Sequence, residues 1–367
     1  MARREERLPL AANINPRADK PRLDNRTFKL DPRIAKGYYS AVYFNRTREI
    51  AAKHFPDTRV LMQVFQKNHA VVCGTDEAIA VLREFSENGR ELVIHSLRDG
   101  DEAEPYETVM TIEGPYHWFA HLESVYLGIL ARRTLVASNT RRVVEAAGGK
   151  PVLFFADRFD VYTNQTGDGY AAYVSGSLGQ ATDAMVRWWG DKGVGTMPHA
   201  LVALCGGDTV KAARLFAEEF PDIPLMVLVD YKNDCVNTAL EVCRALPDRV
   251  KGVRLDTAGT LVDKSLHDEM GTFQPTGVNP QLVRKVRQAL DAEGFNHVQI
   301  IVSGGFTVDR IREFEAKKVP VDVYAVGSSL LKGNFDYTAD IVMVNGKPQS
   351  KVGRRYNPNP RLELVEP

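Results

Sequence analysis

Arg254 and Asp256 stand two residues apart at the end of the apolar run Val250-Lys-Gly-Val-Arg-Leu-Asp-Thr257. In an extended chain that spacing projects both side chains to one side. A guanidinium and a carboxylate held together at the carboxyl end of a strand suit a polar, charged ligand. In open α/β sheets and in βα-barrels, ligands bind at that end. An isolated Arg-x-Asp is equally well a buried ion pair, so its companions decide. Ser303-Gly304-Gly305 follows the run Val298–Val302 and precedes the helical stretch Val308–Lys318. Gly327-Ser328-Ser329 repeats the arrangement one unit later. Glycines there let backbone amides approach an anion, and the next helix adds its positive end. Two such loops on the last two strands match the phosphate-binding position of βα-barrels.

Other residues carry chemistry at similar places. His199 lies between Pro198 and a helix start, where an imidazole near anionic ligands can accept a phosphoryl group; the alternative is a neutral histidine that only hydrogen-bonds. Asp230 ends the run Met226-Val-Leu-Val-Asp230, as a metal or ribose ligand or as a helix cap. Lys232, two residues on, is the residue a Schiff-base lyase or aldolase would need.

Placing these residues around one mouth requires a particular scaffold. After Gly148-Gly149, apolar strand-like runs alternate with helical stretches: Pro151–Ala156, a weaker one at Val174–Ser177, Gly193–Thr196, Pro224–Val229, Val250–Leu255, Val298–Val302 and Val321–Val326. Continuous apolar strands alternating with helices mean a parallel sheet covered on both faces. The fold class is therefore α/β, and seven such units make a closed or nearly closed βα-barrel in preference to an open sheet. Its strand ends bring together Asp157/Arg158, Thr196–His199, Asp230, Arg254/Asp256, Ser303–Gly305 and Gly327–Ser329.

Ahead of the barrel the pattern differs. Residues 1–30 are polar, with Pro9, Pro16 and Pro21, and read as an extended arm. Residues 31–147 read as an α+β sandwich domain with an antiparallel sheet. Its strands are Val60–Phe65, Glu91–His95 and Glu107–Glu113, its helices Thr47–His54 and Thr75–Asn88. A long connecting helix spans Trp118–Ala147, with Ser138 as a break point. Residues 148–335 form the barrel, and 336–367 a hairpin turned by Asn345-Gly346 and a proline-rich tail that packs back on the first domain.

Composition narrows the function class. The 367 residues carry 47 basic and 47 acidic side chains, so the electrostatic footprint of a nucleic-acid binder is missing. No apolar run approaches the roughly 20 residues of a membrane helix. The charged start Met-Ala-Arg-Arg-Glu-Glu-Arg has no apolar core behind it and does not read as a secretory signal. Cys73, Cys205, Cys235 and Cys243 form no C-x-x-C, which fits reduced thiols in a cytoplasmic protein and not a structural zinc.

In order along the chain, Phe155-Ala-Asp-Arg158, Gly195-Thr-Met-Pro-His199, Gly252-Val-Arg-Leu-Asp256, Ser303-Gly-Gly305 and Val326-Gly-Ser-Ser-Leu330 resemble the nicotinate phosphoribosyltransferase family, kin to the quinolinate and nicotinamide phosphoribosyltransferases. Gly114-Pro and Leu122-Glu-Ser124 are similar to that family's lead into its long helix. The resemblance covers residues of about 35 to 335. It implies joining a pyridine ring to 5-phosphoribosyl-1-pyrophosphate (PRPP), with release of pyrophosphate and a requirement for Mg²⁺. It implies an incomplete βα-barrel, and a homodimer or higher homo-oligomer with sites at the subunit interface.

Carried onto this chain, the resemblance gives Arg158 and Arg254 the pyridine carboxylate or the sugar phosphates, and Asp256 the ribose hydroxyls or the metal, with Asp230 beside it. Ser303, Gly304, Gly305, Gly327 and Ser328 take the 5-phosphate, and Thr196 belongs to the substrate site. Phe155 stacks on the pyridine, with Tyr38 or Tyr39 of the partner subunit on the other face. Arg141, with Arg142, comes near the pyrophosphate; both read otherwise as solvated helix charges. His199 matches a histidine that ATP phosphorylates.

Chemistry agrees with that assignment. Expelling pyrophosphate builds positive charge on the sugar carbon and negative charge on the leaving group, which a carboxylate and a metal stabilise when preorganised. The pyridine nitrogen is itself the nucleophile. A quinolinate enzyme needs extra cations for its second carboxylate, yet the first barrel strand offers only Arg158, and residues 175–185 have no basic side chain. A nicotinamide enzyme needs an acid near the ring amide, for which Asp183 falls too far along. Nicotinate is the favoured substrate, in NAD salvage; a non-catalytic binding protein on the same scaffold is the alternative from another class.

Overall fold

The structure, a computed structural model, describes residues 15–17 and 19–367. The polar arm expected over residues 1–30 therefore lies outside the described residues for 1–14 and 18. The chain divides into two compact units.

Among the described residues, one unit comprises residues 15–17 and 19–141 together with Thr166–Ser175 and Lys332–Pro367. Its antiparallel sheet centres on Arg59–Phe65, flanked by Thr338–Val344 and by Thr108–Pro115, with Val93–Ser96 beyond the latter. Val60, Met62 and Val64 alternate along the central strand, so one face is buried. The helix Glu123–Ala146 lays Tyr126 and Leu130 against that core, one turn apart, with Leu122 just ahead of them. The helix runs unbroken through Ser138, contrary to the sequence expectation. Ser138 turns its hydroxyl sideways to the Val71 backbone, accepting from the amide at 3.0 Å. It therefore does not compete with its own helix. Val342–Val344 and Lys347–Pro348 form a hairpin in which Asn345 and Gly346 both take positive φ, 48° and 72°, as a type I′ turn requires.

Among the described residues, the other unit comprises Arg142–Gln165 and Gly176–Leu331. Its sheet is wholly parallel, in the order Gly179–Gln180, Val152–Phe154, Val323–Val326, Gln299–Val302, Val250–Leu255, Leu225–Leu228. The first strand thus pairs with the last, the connection by which a sheet curls toward a barrel. Helices Thr209–Glu219, Cys235–Ala245, Pro280–Ala292 and Val308–Ala316 alternate with the strands. Side chains alternate too. Leu153, Phe155, Met226, Ile301, Val323 and Ala325 form one apolar cluster, and Val152, Phe154, Val227, Val253, Ile300, Tyr324 and Val326 are buried as the intervening set.

The strand expected at Val174–Ser177 is not there. Tyr170, Ala171, Ala172 and Val174 are buried along the helix Gln165–Val174, and Gly176, at φ 94°, turns the chain so that the strand starts at Gly179. Residues 193–196 form no regular strand. They contribute one sheet-like bond, from the Val194 amide to the Gln180 carbonyl at 2.8 Å.

Candidate active site

Strand register builds the site. Leu228 lies beside Arg254 and Arg254 beside Ile301, while Leu255 lies beside Val302. Two residues further along each strand, Asp230, Asp256 and Ser303 therefore come level at the carboxyl edge of the sheet. The Ser303 hydroxyl donates to Asp256 Oδ1 at 2.8 Å. Asp230 Oδ2 meets His199 Nε2 at 2.9 Å, and its Oδ1 is buried with no hydrogen-bond partner among the described residues. Burial pushes the Asp230 carboxyl above its ordinary range; the His199 hydrogen bond opposes that, and the nearby Asp256 charge adds to it.

Arg254 is half-buried on the same face. Its Nη2 lies 3.7 Å from Asp256 Oδ2, too long for a good hydrogen bond, and its Nε is buried without a partner among the described residues. The guanidinium is thus held by charge and left with donors for an anionic ligand. His199 begins the short helix His199–Leu204 after Pro198, and its ring lies 6.4 Å from that of Tyr231.

Gly304 and Gly305 both take positive φ, 85° and 79°, a conformation only glycine adopts readily. Among the described residues no hydrogen bond uses the amides of Gly304, Gly305 or Phe306. Three unclaimed donors at the start of Val308–Ala316 make an anion cradle. Gly327 serves close approach instead: a Cβ there would fall 2.7 Å from the Phe155 carbonyl oxygen and 2.6 Å from the Phe159 ring. Ser328 opens the short turn Ser328–Leu331, and the Ser329 hydroxyl donates to the Phe306 carbonyl at 2.8 Å, tying the two glycine turns together.

The remaining residues singled out from sequence fall as follows. Phe155 follows the first strand, its amide bonded to the Val326 carbonyl, and packs on the apolar cluster of the sheet. Arg158 is exposed, its guanidinium 5.7 Å from the Phe159 ring centre. Thr196 is half-buried, its hydroxyl 3.5 Å from the Met197 carbonyl. Lys232 is exposed in the turn after Asp230.

Arg141, Tyr38 and Tyr39 belong to the other unit. There Arg141 is buried against the Ser175 carbonyl and Glu102, not a solvated charge. Tyr38 and Tyr39 are exposed, 65% and 44%, edge to face, with Arg33 over both rings and the Tyr39 hydroxyl donating to Asp31.

Sequence reasoning missed Arg310. Its Nη1 donates to the Gly304 carbonyl at 3.0 Å and approaches that of Gly305 at 3.5 Å, and Nη2 reaches the Val278 carbonyl. One signal was available: a cation in the first turn of a helix opposes the helix dipole, so something else must hold it there. Among the described residues no group of three or more His, Cys, Asp or Glu side chains is set to hold a metal. The acidic pair Asp230 and Asp256, with the orphaned Asp230 Oδ1, suits a hard cation that keeps most of its ligands from water and substrate phosphates. No helix among the described residues is long and apolar enough to cross a membrane.

The chain is similar to several known proteins. Residues 41–134 match the family described as quinolinate phosphoribosyl transferase, N-terminal domain. A nicotinate phosphoribosyltransferase of Mycobacterium tuberculosis is 28% identical over 297 residues, 78% of this chain and 61% of that one. One from Bacillus subtilis is 23% identical over 295 residues, covering 73% and 56%. The chain thus spans little more than half the length of these curated relatives. Among solved structures, nicotinate-nucleotide pyrophosphorylase from Pyrococcus furiosus superposes with a TM-score of 0.78 at 29% identity, covering 92% of this chain and 85% of that one. Human nicotinic acid phosphoribosyltransferase shares the fold, with a TM-score of 0.66 at 16% identity over 85% and 76% of the two chains.

Proposed function

We propose that this chain, kin to the nicotinate and quinolinate phosphoribosyltransferases, transfers the phosphoribosyl group of PRPP to nicotinate, giving nicotinate mononucleotide and pyrophosphate. The observation that carries this reading is the row of Asp230, Asp256, Ser303 and the unclaimed amides of Gly304–Phe306 along one sheet edge, with Arg254 beside it. It offers negative charge to one part of a ligand and donors to another, as a sugar phosphate developing positive charge at its anomeric carbon requires.

The amides hold the 5-phosphate. Asp256, fixed by Ser303, faces the ribose and stabilises the cationic sugar carbon as the leaving group departs. Arg254 turns its spare donors to the nicotinate carboxylate or to a phosphate, with Arg158 as a second cation. Phe155 supports the pyridine, whose ring nitrogen attacks without a protein nucleophile. Asp230 and Asp256 would hold Mg²⁺ together with substrate oxygens. When bound, that ion neutralises charge on the departing pyrophosphate. The fold reading extends to a seventh barrel unit at residues 193–196, next to Gly179–Gln180.

ATP coupling is part of the proposal. With Nε2 turned to Asp230, His199 keeps Nδ1 for a phosphoryl group. Assembly as a homodimer or higher oligomer would bring Tyr38 or Tyr39 of the partner subunit to the pyridine, a role their exposure allows.

Pyrophosphate release tests the whole reading. The purified protein with PRPP and Mg²⁺ is assayed against nicotinate, quinolinate and nicotinamide. Turnover with nicotinate is expected; turnover with quinolinate alone reverses the substrate, and none with any pyridine leaves a binding protein.

A further inference from the structure

We infer that Arg310 is the positioning residue of the phosphate loop, holding the Gly304–Phe306 backbone in the one orientation that presents its amides. This rests on the reading of that loop as the 5-phosphate site. The argument starts from peptide geometry. A trans peptide is planar, so its carbonyl and its N–H point in opposite directions. Arg310 Nη1 takes the Gly304 carbonyl at 3.0 Å and lies 3.5 Å from the Gly305 carbonyl. Both oxygens are thereby drawn toward the guanidinium. The amides of Gly305 and Phe306, on the other ends of the same two peptides, must face away from it. Those are amides that no protein group claims among the described residues.

Glycine makes this holding necessary. Gly304 and Gly305 at φ 85° and 79° are free to flip their peptides at little cost. A flip would aim a carbonyl oxygen at the phosphate and abolish the cradle. A Cβ on Gly305 would meet only Arg310 Nη1, at 4.0 Å, so packing does not restrain that residue. The restraint comes from Arg310, and Arg310 is itself fixed. Its guanidinium lies 4.6 Å from the Phe306 ring centre, Phe306 is buried against Phe314 and Tyr324, and Nη2 is anchored on the Val278 carbonyl. A planar fork can stack on one ring and serve carbonyls from two segments at once; an ammonium cannot do both.

The position is otherwise unfavourable. Arg310 lies in the first turn of Val308–Ala316, where a cation opposes the dipole, and burial lowers its affinity for a proton. Among the described residues it makes no ion pair. The positive charge therefore stands behind the loop without an ion pair, with the Glu313 charge acting on it, on the far side from the amides, where it adds to the attraction for a dianionic phosphate.

The test is Arg310→Met, which keeps length and apolar contact, beside Arg310→Lys, which keeps charge. Ribose 5-phosphate and nicotinate binding are measured by calorimetry, with the KM for PRPP, the KM for nicotinate and kcat. In Arg310→Met the ribose 5-phosphate Kd and the PRPP KM rise at least about tenfold, the scale of losing hydrogen bonds to a charged group. The nicotinate Kd and KM stay within about twofold, and Arg310→Lys falls between wild type and Met. A general structural role predicts otherwise: both substrates weaken alike, or only the melting temperature falls. Either result overturns the inference, as does wild type that binds no ribose 5-phosphate. If Arg310→Met fails to fold, Arg310→Lys alone decides, by the same split between the two ligands. Wild type that binds ribose 5-phosphate in an Arg310-dependent way but releases no pyrophosphate with any pyridine keeps the inference and removes the enzymatic reading.

Discussion

The Ser303 hydroxyl donates to Asp256 Oδ1 at 2.8 Å, across two strands whose register sets Val302 beside Leu255. A carboxylate that must stabilise a short-lived cationic sugar gains from being fixed beforehand, because it then pays no reorganisation at the moment of reaction. Asp256→Ala is expected to lower the rate of pyrophosphate release at least about a hundredfold, the scale of one preorganised electrostatic group. Ser303→Ala leaves the carboxylate in place but loosens it, so its loss is smaller, about tenfold. The two act through one group, and the double variant should be no worse than Asp256→Ala. Near-normal turnover in Asp256→Ala would remove it from the site.

Gly327 offers a second test, of geometry and not charge. Its Cβ would stand 2.7 Å from the Phe155 carbonyl oxygen, a backbone atom that cannot swing away. Gly327→Ala therefore pushes residues 155–159 off the strand end, costing about 1–3 kcal/mol in stability and displacing Phe155 and Arg158 from the substrate. Gly128, within the helix Glu123–Ala146, has open space around its Cβ position. Gly128→Ala should stabilise by up to about 1 kcal/mol. Denaturant midpoints and activity of the pair separate the two effects; equal behaviour would show that the crowding at Gly327 is relieved elsewhere.

A third concerns pH. Burial, with the Asp76 charge added, pushes the Asp99 carboxyl from an ordinary 3.8 up to about 7, against hydrogen bonds from the Thr75 amide and hydroxyl. The folded state thus binds a proton that the unfolded state has released. This contribution to stability is complete below about pH 4 and is lost as pH rises through about 7, a few kcal/mol in all. Asp99→Asn keeps an acceptor for Thr75 and cannot ionise. Urea unfolding at pH 5 and pH 8 should show a smaller loss in the variant than in wild type. The same loss in both would place the charge change elsewhere.

These residues also mark how far the sequence could be read. Five of the six parallel strands were legible because they lie in apolar runs, and the glycine turns because they follow such runs directly. The partnership of His199 with Asp230, 31 residues apart, was not. It depends on how the turn after one strand meets a helix that follows no regular strand. The second barrel strand was placed too early because Tyr170, Ala171, Ala172 and Val174 are apolar at a spacing that suits helix and strand alike over so short a run. Arg310 stayed hidden for a different reason. Its partners are carbonyl oxygens, which leave no trace in the side-chain pattern, and only its conflict with the helix dipole gives it away.

The His199–Asp230 pair carries the last prediction. At 2.9 Å the contact of Nε2 with Asp230 Oδ2 orients the ring and leaves Nδ1 as the nitrogen open to a phosphoryl donor. The half-exposed ring can be reached, since 43% of its side chain remains accessible. Incubation with ATP labelled at the γ-phosphate should therefore leave an acid-labile, base-stable label on the wild type. His199→Ala removes it altogether. Asp230→Asn keeps the hydrogen bond but loses the negative charge that stabilises the positive charge building on the ring as the N–P bond forms, so labelling slows by about tenfold or more while the site of labelling is unchanged. The ATP stimulation of nicotinate turnover should fall in the same order across the three proteins. An unlabelled wild type ends the coupling proposal and leaves His199 as a hydrogen-bonding partner of Asp230.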